Sequence, residues 1–270
     1  MHKTNTSTTV TSQLRREYRS VLFQISKNLE QAHLKKLCLY CTGQRLQQYA
    51  NTCRIFRDLE YEGKISWQDV SFLKEVMRSL TREDVVRELT EFELKRDLTL
   101  LLDLFTRKRR GLDIHCCSSS VKKVTGYLTT LADKLRGIVD LTCLDIPVQS
   151  SVDIQKAISS FAMEIDLKEL TFSWNEFIFL VITAGELTAM ATGSCGSESV
   201  VELCSTAAEE LWAHMTELGS WEDFCDRAKK RCQLIYHHHG SKVPKQSSLQ
   251  RQISEVVERF GEIFVPPDPK

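Results

Sequence analysis

Ser71-Phe-Leu-Lys-Glu-Val-Met-Arg-Ser-Leu80, followed by Thr81-Arg82-Glu83-Asp84-Val85, is the stretch on which the fold turns. Val70, Leu73, Val76, Met77 and Leu80 recur at helical spacing and line one face of a helix. Ser66, with Asp69 three residues on, has the pattern of a cap for that helix. Thr81 has the same pattern for the next one, with Asp84 at the third position and Val85, Val86 and Leu89 behind it. Short amphipathic helices separated by tight breaks are the units of an antiparallel bundle.

The same spacing extends upstream. Leu14, Tyr18, Leu22, Ile25 and Leu29 predict a first helix, and Leu34, Leu37, Cys38 and Cys41 turn inward from a second over His33 to Cys41. Gln44 to Asn51 reads as a short polar helix. Ile55, Phe56 and Leu59 begin a fourth, which Gly63 closes in the manner of a helix C-terminus. Downstream, Arg107 to Ser120 reads as a linker or loop. Helical spacing resumes with Val124, Leu128, Leu131 and Leu135, and a further helix covers Val152 to Ile165. The most apolar helix runs from Ser173 to Thr192, and two more lie near Glu198–Glu217 and Ser220–Tyr236. No internal repeat is evident. The expected fold class is all-α, and the expected divisions are a disordered 1–13, a bundle over 14–95, helix and linker over 96–120, a second bundle over 121–236, and a polar linker with an amphipathic tail over 237–270.

Composition narrows the function classes. Lysine plus arginine, 36, equals aspartate plus glutamate, 36, so no bulk charge advertises a nucleic-acid partner. Hydrophobic content of 42% provides for a substantial core and argues against wholesale disorder. Met1 to Ser12 lacks the apolar segment of a secretory signal, and the longest apolar run, Phe177 to Gly185, is too short to span a bilayer. The ten cysteines are scattered through helical patterns, which predicts reduced thiols and a cytoplasmic chain. Cys38 and Cys41 have metal-ligand spacing without a second pair to answer them, so no metal and no cofactor is expected. There is no glycine-rich phosphate loop, no zinc-protease motif and no nucleophile elbow, so no catalytic residue is assigned. A thiol- or zinc-dependent enzyme built on Cys38, Cys41 and the run His237, His238, His239 is the reading from a different class.

The first bundle resembles a death effector domain, a six-helix member of the death-fold superfamily. The resemblance rests on the first-helix pattern, on His33-Leu-Lys-Lys-Leu-Cys-Leu-Tyr-Cys41, on Ser71 to Leu80, and above all on Arg82-Glu-Asp-Val85. The last stands where the family has Arg-x-Asp-Leu. The resemblance implies a surface charge triad of Arg82, Asp84 and an acid of the second helix, whose place here is taken by His33, with Glu30 nearby. It also implies a self-association patch at Leu39 and Tyr40. The alternatives are an ordinary solvated helix start for Arg82 and Asp84, and core packing for Leu39 and Tyr40.

The second half resembles a Bcl-2-like domain. Val124, Leu128, Leu131, Ala132, Asp133 and Leu135 read like the third Bcl-2-homology motif, with Ala132 small enough for close helix approach and Asp133 as its acid. Ser173-Trp174-Asn175-Glu176 stands where the first motif has Asn-Trp-Gly-Arg. Leu218-Gly219-Ser220-Trp221-Glu222-Asp223-Phe224 is similar to the second. Leu94 to Arg110 fits a first helix for this domain. Glu176 replaces the arginine that pairs with a ligand's aspartate, and two carboxylates about 4 Å apart repel by roughly 4 kcal/mol at an effective dielectric near 20. Conventional groove ligands are therefore expected to bind poorly. The segment Leu249–Val265 has three candidate placements: the domain's own groove, a membrane surface, or the core.

Together the resemblances imply a non-enzymatic apoptosis regulator or adaptor. Its implied partners are death effector domain proteins (adaptors and initiator caspases), Bcl-2-family proteins, and the mitochondrial surface by peripheral contact. The runner-up is a helical scaffold without a working groove.

Overall fold

Val10, Leu14, Tyr18, Leu22 and Ile25 are all buried, a stripe at three- and four-residue spacing that fixes the first helix, α1 (Thr6–Asn28). The computed structural model describes residues 6–42, 52–112, 118–136, 150–167, 172–194 and 200–234. All helices named below lie among them. The chain divides into two compact units, residues 1–96 and 97–270.

In the first unit α1 is followed by α2 (Gln31–Thr42), α3 (Thr52–Tyr61), α4 (Ser71–Ser79) and the head of α5 (Glu83–Arg109). The expected polar helix Gln44–Asn51 lies outside the described residues. α1 starts earlier than the sequence reading placed it. Residues 6–13 are helical rather than disordered because Val10 adds a buried turn to the stripe. Tyr18 sits over Phe92 with ring centroids 5.8 Å apart. Burial is the main cause that raises its phenol pKa above the ordinary value, with the charge of Glu60 adding to it.

Both expected caps around α4 are corrected. Ser66 caps no helix. It closes a tight turn with Asp69, with backbone bonds of 2.8 and 3.1 Å, and Arg96 Nη1 donates to the carbonyls of Trp67 and Gln68 within that turn. α4 begins at Ser71, whose N–H donates to Asp69 Oδ1 at 2.9 Å, and that bond is the largest cause holding the Asp69 carboxyl below its usual pKa. Thr81 likewise ends α4 rather than starting α5. It adopts φ 58°, its N–H donates to Arg78 O, and the Arg82 N–H donates to Met77 O. This is the Schellman pair of bonds. The same pair closes α3 at Gly63 (φ 69°), as the sequence predicts, and α5 at Gly111 (φ 63°). A β-branched residue thus holds a position that glycine holds at the two other helix ends.

α5 overturns a further expectation. The last helix of the first bundle and the helix proposed for Leu94–Arg110 are one continuous element, because no breaker lies between Glu83 and Arg109. The linker expected from Arg107 therefore starts only after the helix has ended.

The second unit contains the rest of α5, α6 (Ser119–Arg136), α7 (Ser151–Leu167), α8 (Trp174–Ser194), α9 (Val200–Leu218) and α10 (Trp221–Leu234). Every residue of α8 from Phe177 to Thr188 is buried, and α6, α7, α9 and α10 all touch this helix. A helix apolar on all sides needs such an enclosure. Its buried Thr188 returns its hydroxyl to Ala184 O at 2.7 Å. Among the described residues no helix is long and apolar enough to cross a membrane. The tail segment Leu249–Val265 and the run His237–His239 lie outside them.

Candidate interaction surfaces

The Schellman turn at Thr81 delivers Arg82 to the start of α5. There its guanidinium forks onto Asp84, with Nε to Oδ1 at 2.9 Å and Nη2 to Oδ2 at 2.6 Å, while Nη1 donates to Asn28 O at 3.0 Å. The Arg82 side chain is 13% exposed and that of Asp84 55%. Hydrogen bonds from Arg82 are the largest cause holding the Asp84 carboxyl down at about 2. Those bonds likewise raise the Arg82 pKa, and the charge of Glu30 contributes. Arg82 and Asp84 are thus bonded directly, and Glu30 acts on Arg82 through its charge. His33 is part-buried on α2, and its Nδ1 is buried without a hydrogen-bond partner among the described residues.

About two turns along α2 from His33, Leu39 and Tyr40 stand in solvent, each 59% exposed, whereas Leu34, Leu37 and Cys38 face inward. Lys35 and Lys36, exposed four residues earlier, flank them on the same face. Core packing was the alternative for Leu39 and Tyr40, and both stand outside the core. A second feature went unread in the sequence: an open groove of about 410 Å3 between α1 and α3, with Leu22, Phe23 and Phe56 as its apolar lining and Arg19, Arg57 and Glu60 as charged groups. Phe23 is half exposed and Lys27 Nζ stands 4.3 Å from its ring centroid. A further hollow along α1, lined by Ser12, Arg15, Arg16 and Arg19, extends the positive rim. The available signal was the recurrence of Arg15, Arg16, Arg19 and Phe23 on the polar face of α1.

The family model of the death effector domain matches residues 18–95. The match contains the Arg82–Asp84 fork and the Leu39–Tyr40 pair. No curated protein and no solved structure gives a significant match to the chain.

In the second unit the structure gathers the singled-out residues in two places. Val124, Leu128, Leu131, Ala132 and Leu135 are buried on the inner face of α6. Asp133 points outward and pairs with Arg109 of α5, whose Nη2 also stands 2.6 Å from Glu186 Oε1 at an angle poor for a hydrogen bond. Arg109 caps the Phe105 ring as well, 5.1 Å from its centroid. The acid of the motif-like segment thus already has a cation within its own unit. Deeper in α5, Arg107 Nε donates to Asp103 Oδ2 at 2.8 Å, and burial is the main cause raising the Asp103 pKa.

The second gathering is around Trp174 and Trp221. Ser173 Oγ accepts from Asn175 N at 3.2 Å, while Glu176 Oε2 accepts from Ser173 N at 3.0 Å and from its hydroxyl. This is a capping box. Glu176 is therefore engaged with the start of its own helix. Ser220 and Asp223 repeat the device at the head of α10, with Ser220 N to Asp223 Oδ2 at 3.1 Å and Asp223 N to Ser220 Oγ at 3.2 Å. Ser173-Trp174-Asn175-Glu176-Phe177 and Ser220-Trp221-Glu222-Asp223-Phe224 share one pentapeptide pattern. Their aromatics meet: Phe177 and Phe224 centroids lie 5.3 Å apart edge to face, Trp174 stacks near Phe224 at 6.3 Å, and Trp221 tilts onto Phe224 at 5.4 Å. Gly219 leaves room for this, since a β-carbon there would stand 3.3 Å from Trp174 Cζ2.

The five described free cysteines include no metal-like cluster: among the described residues no three His, Cys, Asp or Glu side chains converge. Burial raises the Cys38 thiol pKa above its ordinary value.

Proposed function

We propose that this chain is a non-enzymatic adaptor of apoptotic signalling that binds death effector domains of other proteins, adaptors and initiator caspases among them. The observation carrying this reading is the solvent-facing pair Leu39 and Tyr40 on α2. Two adjacent large apolar side chains left outside a core that had room to bury their neighbours mark a contact surface. Charge favours a different protein over a second copy as partner. Lys35 and Lys36 flank the pair, while Arg19 and Arg57 border the groove, so docking the Leu39–Tyr40 face of one copy into the α1–α3 groove of another sets like charges together. Arg82 adds a recognition charge on the same unit.

The second unit is proposed to be Bcl-2-like, acting on Bcl-2-family partners or at the mitochondrial surface from a cytoplasmic pool. Support comes from three motif-like segments in order around one enclosed apolar helix. Leu128 and Leu131 are buried and Asp133 is paired in cis, so this stripe serves the unit's own core, as expected inside such a bundle, and is not a displayed ligand helix; a helical scaffold without a working groove is the runner-up.

Full-length protein carrying Leu39→Asp with Tyr40→Asp tests the adaptor reading in pull-downs with adaptor and initiator-caspase death effector domains. Lost capture with an unchanged helical spectrum is the expected result. Capture equal to the natural chain overturns the assignment of this face.

A further inference from the structure

Tyr61 ends α3 with its side chain in solvent, and at 93% exposure it is the most exposed large side chain of its class among the described residues. Its neighbours Glu60, Glu62, Gly63 and Lys64 are exposed too, and Asp58, Glu60 and Glu62 surround it with carboxylates. Lys64 is already paired with Glu62 at 2.8 Å. The last turn of a helix closed by a glycine opens at low cost, so this strip of chain can leave the surface and enter an enzyme cleft. We propose that Tyr61 is a phosphorylation site for a protein tyrosine kinase with a basic substrate groove, and that its phosphate offsets the positive charge of the α1–α3 groove rim.

The substrate is the phenol and the co-reactant a magnesium-bound nucleoside triphosphate held by the kinase. The Tyr61 oxygen attacks the γ-phosphorus as the bond to the β–γ bridging oxygen breaks. The diphosphate leaves, and the phenolic proton passes to the kinase's base. The flanking carboxylates match a positive cleft, the kind of charge pattern by which kinases choose substrates.

The phosphate's effect follows from helical geometry. Arg57 lies four residues before Tyr61 and so shares its face, and helix side chains lean toward the N-terminus, which carries the phosphate over Arg57. A guanidinium fork on a dianion outweighs the partial charge at a helix C-terminus. Arg19 and Arg57, offset by Glu60, leave the groove lining positive, and Lys27, Arg15 and Arg16 beside it add to that charge. A phosphate adds about two negative charges and so offsets much of the rim's positive charge. A lysine-flanked apolar face, the Leu39–Tyr40 face of a second copy, then meets a weakened like charge. This consequence rests on the docking reading above, whereas the site itself does not.

The test treats the full chain and Tyr61→Phe with a tyrosine kinase active on a glutamate–tyrosine copolymer, maps phosphate by mass spectrometry, and follows self-association by sedimentation. We expect one phosphate at Tyr61, none there in Tyr61→Phe, and self-association at least about fivefold tighter in the modified protein, the worth of one screened charge pair. Arg57→Ala should show the tightening before treatment in weakened form. Equal labelling of Tyr61→Phe overturns the site. Labelling at Tyr61 with unchanged or weaker association overturns the charge offset while leaving the site standing.

Discussion

Gly185 of α8 lies against the ring of Phe105 of α5: a β-carbon added at Gly185 would stand 2.6 Å from Phe105 Cδ1. The contact sets how closely two helices of the second unit approach, and Glu186, the next residue, is where Arg109 pairs. Mid-helix glycine forgoes about 1 kcal/mol of helix propensity. Keeping it there implies that the close approach is worth more.

Gly185→Ala should therefore destabilise the protein despite its better helix propensity. Overpacking a buried site costs about 1–3 kcal/mol, and an aromatic ring enclosed on both sides has nowhere to turn. Urea unfolding of the full chain measures it. A midpoint equal to or above that of the natural protein would mean the ring moves aside freely.

Thr81→Gly should act in the opposite sense. At φ 58° a β-branched residue is strained by about 1–2 kcal/mol, and the two glycines at equivalent turns show the unstrained solution. Part of that relief is offset by the entropy glycine loses on folding, leaving a gain of about 1 kcal/mol. The Arg82 fork should persist, since the turn bonds are backbone bonds. A lower melting temperature would show that the Thr81 hydroxyl, 2.6 Å from Leu80 O, matters more than the strain.

Asp84 makes stability depend on acid. Its carboxyl is held at about 2, below the ordinary carboxylate value near 3.9, so the native state favours its charged form. The resulting stability is complete above about pH 4 and disappears as pH falls through about 2. Because the side chain is more than half exposed, solvent limits the effect to less than about 1 kcal/mol. Melting of the natural chain and Asp84→Asn should differ by a constant amount at neutral pH and converge near pH 2. A difference persisting unchanged in strong acid would remove the ion pair from the account.

Helices were legible wherever an apolar stripe was long, because burial of one face is what periodicity records. Val124 to Leu135, Phe177 to Leu187 and Leu14 to Ile25 all lie inward as their spacing predicts. The ends were harder to read. Ser66, Thr81 and Ser173 each precede an acid by three residues, yet only Ser173 caps its helix, because the pattern does not record which backbone bonds the preceding turn has already taken. The groove of Leu22, Phe23 and Phe56 was not legible, since it depends on how two helices sit side by side. Of the candidate sites, Arg82 and Asp84 stand two residues apart in the sequence, and the pair was readable. Asp133 with Arg109 spans two helices and was not.

Glu176 offers the sharpest contrast between a sequence-level and a structural expectation. Alignment with an arginine-bearing motif makes Glu176→Arg a repair that should admit an acidic groove ligand. The capping contacts predict the opposite outcome. Glu176 Oε2 takes the Ser173 N–H, and losing such a box costs about 0.5–2 kcal/mol. Arg231 of α10 feels the Glu176 charge, which supports its ionised form against burial, the larger effect. An arginine at 176 would place a third cation beside Arg231 and Arg227. Glu176→Arg should thus lose about 1–2 kcal/mol, whereas Glu176→Gln, which still offers an oxygen to Ser173, should lose less than half of that. Thermal unfolding of both variants, with calorimetric titration of one acidic helical peptide, decides between the accounts. A Glu176→Arg protein as stable as the natural one and newly able to bind the peptide would show that this carboxylate belongs to a ligand groove after all.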